Sequence, residues 1–239
     1  MSPAQPKMKI LHPDSLIATV DAFNEAVFQG RPWQREAPAI VDWMGGRLGQ
    51  SGAYAGSFAL TERDWSREFR LFTGERLSTR AGRAHVIAEE ATRVLTLIKR
   101  DAGLDCAARE LSEERLRARI FDAGKSTVRE DGLYCCGTCS VAFWRSLAAG
   151  VFKRQNQTLR RGVATLGASR DARGGWGRFP FYYTLLLLSE IPPELAKQEF
   201  DFCAPRGRTL VRHLARKADR YSTRRRELLR RIWARSISG

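Results

Sequence analysis

The chain has 239 residues, of which 43% are hydrophobic and 10% aromatic, and its 41 basic and 26 acidic side chains give a formal charge of +15. This composition excludes a disordered tail or a collagen-like repeat and is sufficient for a sizeable buried core. No apolar run reaches the roughly 18 residues that a membrane span needs. The first ten residues are polar and lack the apolar stretch of a signal peptide. We therefore expect a cytoplasmic protein that does not enter a membrane.

Helical periodicity dominates the sequence, with apolar residues recurring three and four positions apart along most of the chain. Ten such segments predict ten helices, and no segment alternates as a half-buried strand does. Loops that contain glycine separate these helices, which predicts an all-α single domain of stacked helical hairpins, similar to α/α repeats. The predicted helices are residues 16–28, 36–48, 64–72, 84–98, 112–121 with Ser112 as its cap, 139–152, 158–166, 181–191, 194–202 and 209–237.

The basic excess is confined to the last hundred residues. Residues 1–140 carry 20 basic and 19 acidic side chains, whereas residues 141–239 carry 21 basic and 7 acidic ones. The predicted domain thus has a near-neutral half and a strongly basic half. A one-sided basic surface attracts polyanions, and nucleic acid, DNA or RNA, is the first partner to expect. Since arginine outnumbers lysine 34 to 7, a GC-rich genome is the alternative explanation of the charge.

Arginines repeat every four residues along the last predicted helix, so they share one face. Like charges at this spacing destabilise a helix by about 0.2–0.5 kcal/mol each. Phosphates are suitable counter-charges, because the planar guanidinium presents a fork of donors. The alternative is a solvated face that keeps the protein in solution. The residues predicted to hold a nucleic-acid backbone are Arg212, Arg216, Arg220 and Arg224, joined by Arg170 and Arg173 from an earlier loop.

The loop at residues 169–178 contains Asp171, the one acidic side chain between residues 141 and 180. A carboxylate flanked by arginines stays ionised, and an aromatic neighbour such as Trp176 can support a base turned out of a duplex. This combination predicts a DNA-repair enzyme of the base-excision type, with Asp171 as the first catalytic candidate. The alternative is an aspartate that holds a turn by accepting hydrogen bonds from backbone N–H groups.

Tyr54 is a second candidate for stacking on a base, because it lies at the centre of a Gly-rich loop, residues 50–56. The alternative is that its ring fills a gap between helices. The loop lacks the Gly-Lys-Ser/Thr ending of a phosphate-binding loop, so it is not predicted to bind a nucleoside triphosphate.

Two further carboxylates are catalytic candidates. His85 and Glu89 stand four residues apart on one predicted helix and therefore share a face, a spacing that suits a metal ion or a base with its orienting partner. The alternative is a hydrogen bond on the helix surface. Glu75 lies in the loop before that helix, where it would stand close to the free N–H groups of the first turn.

The cysteines form one close group, Cys135, Cys136 and Cys139. A disulfide framework is not expected in the cytoplasm. A metal site would use Cys135 and Cys139, and its further ligand would be His85, Cys203 or His213. The alternatives are buried structural thiols, which behave as small hydrophobic side chains, and a redox or nucleophilic cysteine. The sequence does not identify a cofactor.

The competing function is an α/α-fold enzyme that acts on a small apolar substrate, with a metal held by the cysteines. The aromatic residues expected to line its pocket are Tyr134, Phe179, Tyr182 and Tyr183.

One short tract resembles a known family. The residues that carry the resemblance are Gly175-Trp176-Gly177, Tyr182-Tyr183-Thr184 and Leu185 to Leu188. They are similar to the Gly-Trp turn and the following Thr-rich apolar helix of the α/α-toroid repeats found in squalene–hopene cyclases and protein prenyltransferases. The resemblance covers residues 174–191, and the Asp-rich acid motif of the cyclases is absent from the sequence. It implies an α/α fold and does not imply a particular reaction.

Overall fold

The computed structural model describes residues 9–121, 128–153 and 156–237, with side chains up to Trp233. Within these residues the chain forms ten α-helices and one 3-10 turn, and its only β pairing is two isolated bridges. The all-α fold class is therefore confirmed, whereas the repeat-like arrangement stays a prediction. None of the described helices is long and apolar enough to cross a membrane. The helices are α1 (Leu16–Gln29), α2 (Ala37–Gly45), α3 (Glu62–Ser66), α4 (Arg80–Ala102), α5 (Ala107–Phe121), α6 (Gly137–Ala148), α7 (Asn156–Ala168), α8 (Phe181–Glu190), α9 (Pro193–Leu214) and α10 (Arg220–Ile237).

The chain divides into two compact units. The first unit comprises Met1–Phe69 and Ser78–Leu116, and the second comprises Arg70–Leu77 and Arg117–Gly239. By sequence the first unit carries 14 basic and 15 acidic side chains, a net charge of −1, whereas the second carries 27 basic and 11 acidic ones, a net charge of +16. The difference in net charge between the two compact units is thus larger than the difference expected between the parts of the chain before and after residue 140.

In the first unit α4 packs against α1, α2 and the 3-10 turn at Tyr54–Gly56. Buried Asp64 joins the starts of α1 and α3. Its carboxylate accepts hydrogen bonds from the Ser15 hydroxyl at 2.5 Å, from Leu16 N at 3.0 Å and from Thr61 N at 2.9 Å. N–H groups in a helical first turn have no partner within the helix, so one carboxylate satisfies donors at two helix starts.

Ser112 lies inside α5 rather than at its start, because the helix begins earlier, at Ala107. The Ser112 hydroxyl is fully buried and lies 2.5 Å from that of Ser57 and 2.6 Å from that of Thr92. The predicted capping role was wrong: this serine satisfies buried hydroxyl groups, a role that helical periodicity does not reveal.

In the second unit α6 packs closely against α7. The indole of Trp144 is fully buried, and its Nε1 donates to Gly132 O at 2.8 Å. A Cβ atom at Gly162 of α7 would lie 2.4 Å from this ring. Glycine at position 162 therefore lets α7 approach the tryptophan, at the cost of about 1 kcal/mol in helix propensity.

The last predicted helix was wrong in its bounds. α9 continues through Pro205 to Leu214. The helical conformation is then interrupted at residues 215–219, and this break is followed by α10. Packing of α9 on α7, α8 and α10 outweighs the cost of a proline in a helix, about 3 kcal/mol. Asp219 stabilises the start of α10, because its Oδ1 accepts hydrogen bonds from Tyr221 N and Ser222 N, both at 3.0 Å.

Candidate nucleic-acid interface

Five of the six arginines predicted to hold phosphates are exposed to solvent, and only Arg224 is buried. They do not form one helical row, since the break at residues 215–219 lies between them. Arg212 belongs to the last turn of α9, Arg216 to the connection, and Arg220 is the first residue of α10, whereas Arg173 lies in the loop before α8. Exposed guanidiniums on helix ends and loops can still contact a polyanion, although no single periodicity aligns them.

Arg224 does not belong to this exposed set, which corrects the prediction. Its side chain is buried, its Nη1 donates to Phe72 O at 2.9 Å, and its guanidinium lies 4.1 Å from the centre of the Phe72 ring. The next residue, Arg225, donates through Nε to Thr73 O at 2.6 Å. These two arginines hold the segment Arg70–Leu77 against α10, so Arg224 has a structural role.

Arg170 and Trp176 are both bound to the same buried carboxylate. Glu199 of α9 lies 2.7 Å from Arg170 Nη2 and accepts from Trp176 Nε1 at 2.6 Å. The Trp176 ring is 1% exposed and stacks on Phe181, with 5.6 Å between the ring centres. The prediction that Trp176 stacks on a nucleic-acid base was therefore wrong, because the core covers its ring.

The Asp171 carboxylate is bound by the backbone of its own loop. Its Oδ1 accepts from Arg173 N at 2.8 Å and from Gly175 N at 2.9 Å, and its Oδ2 accepts from Gly177 N at 3.2 Å. The N–H of Gly175, followed by those of Gly177 and Arg173, lowers the pKa of Asp171. This geometry is that of the turn-holding alternative, since each of these three bonds stabilises the ionised carboxylate within the loop.

Glu75 also has a structural anchor. Its Oε2 accepts from the Thr73 hydroxyl at 2.5 Å, and its Oε1 accepts from Tyr183 N at 3.1 Å. Because Tyr183 belongs to the first turn of α8, the carboxylate stands at the positive end of that helix. Its charge acts on Tyr182, the residue on which the charges of Arg206 in α9 and Arg225 in α10 also act.

Sequence reasoning missed Arg206 altogether and assigned Tyr182 to an apolar pocket. Burial raises the pKa of Tyr182, against the positive charges of Arg225 and Arg206, which lower it, and Glu75 raises it further. The charges of these three residues thus act on one hydroxyl. No local signal marks Arg206, because the Phe181 ring beneath its guanidinium lies 25 residues away in sequence. The other expected pocket residues, Tyr134, Phe179 and Tyr183, are buried in the core.

In the first unit His85 and Glu89 do share a face of α4, and the two side chains meet. His85 Nε2 lies 3.2 Å from Glu89 Oε1, and the glutamate side chain is 0% exposed. The pair is thus buried rather than on the helix surface, which was the alternative. The ring of Tyr54 stacks on His85, with 4.2 Å between the ring centres and 24° between the planes. This contact places the Tyr54 ring against α4, and its role stays a prediction.

The five cysteines are free thiols. Cys135 and Cys136 are exposed just before α6, whereas Cys139 is buried in its first turn. Burial also raises the pKa of the Cys203 thiol in α9 to about 12. Of the predicted metal ligands, Cys135 and Cys139 belong to the second unit and His85 to the first.

The candidate interface consists of the exposed arginines at the end of α9, in the connection and at the start of α10, together with the cluster around Tyr182. All of these residues belong to the basic second unit. Comparison with known proteins does not add a relative from which a function could be transferred. No protein-family model, no curated protein and no solved structure matches this chain.

Proposed function

We propose that the second unit is a nucleic-acid-binding module that holds phosphates of the backbone. The observation that carries this proposal is the segregation of charge: the second unit has a net charge of +16 and the first a net charge of −1. Nucleic acids attract such a surface by releasing their condensed counterions, a term that does not depend on sequence. Arg212, Arg216 and Arg220 are exposed and supply the donors.

The residue types favour phosphate over general solubility. The second unit contains 23 arginines and 4 lysines. A guanidinium binds phosphate with two parallel N–H donors, whereas lysine is a strongly hydrated point charge that keeps a surface in solution equally well. A face that served solubility alone would also need no separation of the charge between the two units.

The salt dependence of binding tests the proposal. Fluorescence anisotropy with a duplex and with a single-stranded oligonucleotide, between 50 and 200 mM salt, is expected to give a linear fall of log K, with a slope of about −0.9 per phosphate contact on duplex. The double variant Arg212→Gln/Arg216→Gln should make this slope shallower by about 2. The matched control is Arg35→Gln/Arg67→Gln, which removes two exposed arginines of the first unit. An affinity that does not change with salt contradicts the proposal.

Within this proposal, fewer residues support base-excision repair than support phosphate binding. Asp171 and Trp176 are held by their own loop and core, whereas the charge of Glu75 acts on the same Tyr182 hydroxyl as the charges of Arg206 and Arg225. A glycosidic-bond reaction would therefore rely on Glu75. The choice between DNA and RNA and the cytoplasmic location stay predictions.

A metal-dependent enzyme is the second candidate function, with Cys135 and Cys139 of the second unit as ligands. The observation in its favour is that the ligand sulfur atoms of these two cysteines lie within 4.8 Å of each other around the start of α6. Cysteine thiolates at this spacing are ligands that zinc and iron take in proteins.

Metal analysis of the purified protein tests this second candidate. We expect one equivalent of zinc or iron, which the single variants Cys135→Ser and Cys139→Ser should each lose. The matched control is Cys106→Ser, which removes a free thiol of the first unit and should keep the metal. A metal-free wild-type protein, or an equal metal content in Cys139→Ser, would exclude the assignment.

A further inference from the structure

Two arginines of the second unit lie over consecutive aromatic rings at the start of α8. The Arg206 guanidinium, from α9, is 4.1 Å from the centre of the Phe181 ring. The Arg225 guanidinium, from α10, is 4.5 Å from the centre of the Tyr182 ring. Stacking on a ring fixes the plane of a guanidinium and leaves the N–H groups at its edge able to donate. We call Arg206, Arg225 and Tyr182 the arginine–tyrosine cluster.

Both arginines of this cluster lie close against the backbone. Arg206 crosses the turn before α8 so closely that a Cβ at Gly175 would lie 2.3 Å from its Nη1. Arg225 is fixed through Nε, which donates to Thr73 O at 2.6 Å. This bond uses only the Nε donor of Arg225. It holds the two Nη groups in position and leaves them able to donate to a ligand.

The charges of the cluster are not matched by ion pairs. Within the part of the chain that the structure describes, neither Arg206 nor Arg225 forms an ion pair with a carboxylate. The acidic groups around them are Glu75, Asp219 and Asp171, and each of these accepts hydrogen bonds from backbone N–H or hydroxyl groups. The two half-buried cations lie over neighbouring rings, Phe181 and Tyr182, whose centres are 5.2 Å apart. They repel each other, and an anion bound between them would remove that cost.

We propose that the arginine–tyrosine cluster is a pocket for one phosphate group. The two guanidiniums supply forks that match phosphate oxygens, and the Tyr182 hydroxyl supplies a third donor. This inference rests on the proposed function, which it deepens, because the phosphate it assigns to the pocket belongs to a nucleic-acid strand. Free phosphate has the same chemistry and would bind in the same place more weakly.

Charge-removing variants test the pocket in the full chain. Arg206→Gln and Arg225→Gln are each expected to weaken oligonucleotide binding at 100 mM salt by about tenfold or more. The matched control is Arg208→Gln, which removes an exposed arginine two residues along the same helix and should weaken binding by no more than about threefold. Circular dichroism verifies that each variant is folded.

Two conservative variants keep the test decisive if a glutamine variant fails to fold. Arg206→Lys keeps the charge and loses the fork, and Tyr182→Phe keeps the ring under Arg225 and loses the hydroxyl. Both should weaken oligonucleotide binding by several-fold, with circular dichroism spectra like that of the wild type. Wild-type affinity in both variants would overturn the inference.

Binding of inorganic phosphate alone separates this inference from the proposed function. We expect millimolar phosphate to bind the wild-type protein by calorimetry and not to bind Arg206→Gln. If oligonucleotides bind with a steep salt dependence but Arg206→Gln and Arg208→Gln weaken binding equally, the phosphate pocket is contradicted and the nucleic-acid-binding function is supported. If Arg206→Gln loses the binding of inorganic phosphate while oligonucleotide affinity does not change with salt, the phosphate pocket is supported and the nucleic-acid-binding function is contradicted.

Discussion

Trp144→Ala is expected to lower the free energy of unfolding by about 3–5 kcal/mol, because it removes a fully buried indole from the contact between α6 and α7. The substitution also leaves Gly132 O without the N–H that lies 2.8 Å away. Urea denaturation followed by far-ultraviolet circular dichroism measures the effect. Trp65→Ala is the control, since this half-exposed tryptophan should cost less than half as much.

A second substitution identifies the contact responsible. A Cβ at Gly162 would lie 2.4 Å from the Trp144 ring, so Gly162→Ala should destabilise the wild-type protein by about 1–3 kcal/mol although alanine favours helices. Trp144→Phe provides room for that methyl group, and the double variant should therefore be more stable than the sum of the two single effects predicts. Additive effects would contradict close packing of these two residues.

Glu199→Ala is expected to lower the free energy of unfolding by about 3 kcal/mol. The substitution leaves the buried Trp176 indole N–H without its acceptor at 2.6 Å and Arg170 without its counter-charge at 2.7 Å. The Arg170 side chain is 35% exposed, so water compensates part of the lost ion pair. Thermal unfolding at neutral pH measures the loss.

Two controls separate the charge from the packing at this position. Glu199→Gln keeps an oxygen that can accept from Trp176 and should cost less than half of the alanine effect. Glu194→Ala removes an exposed glutamate from the first turn of the same helix and should leave stability almost unchanged. A Glu199→Ala protein as stable as Glu194→Ala would show that the buried carboxylate does not stabilise the fold.

The sequence predicted the helices better than their ends. α1 and α8 agree with the predicted segments to within one residue, because a strong apolar period and a cap or a proline mark them. The break between α9 and α10 was predicted around Pro205, where local propensity disfavours a helix. It occurs at residues 215–219 instead, since packing stabilises α9 on both sides of the proline.

The candidate site was less predictable than the fold. The spacing of His85 and Glu89 predicted that they share a face, which the 3.2 Å contact confirms. The same reasoning placed Arg224 on an exposed row and Trp176 against a base, and both are buried. A helical period states which residues share a face, but the direction in which the face points depends on what packs against it.

By itself the sequence determined two properties of this protein, its helical class and its concentration of positive charge. Both follow from the order of residues along the chain, so they do not depend on how the helices pack against one another. Only the tertiary structure decided which arginines serve the core and which remain for a ligand. Arg206 meets Phe181 across 25 residues of sequence, and Arg224 meets Phe72 across a far longer separation, because close packing of helices joins residues that share no local pattern.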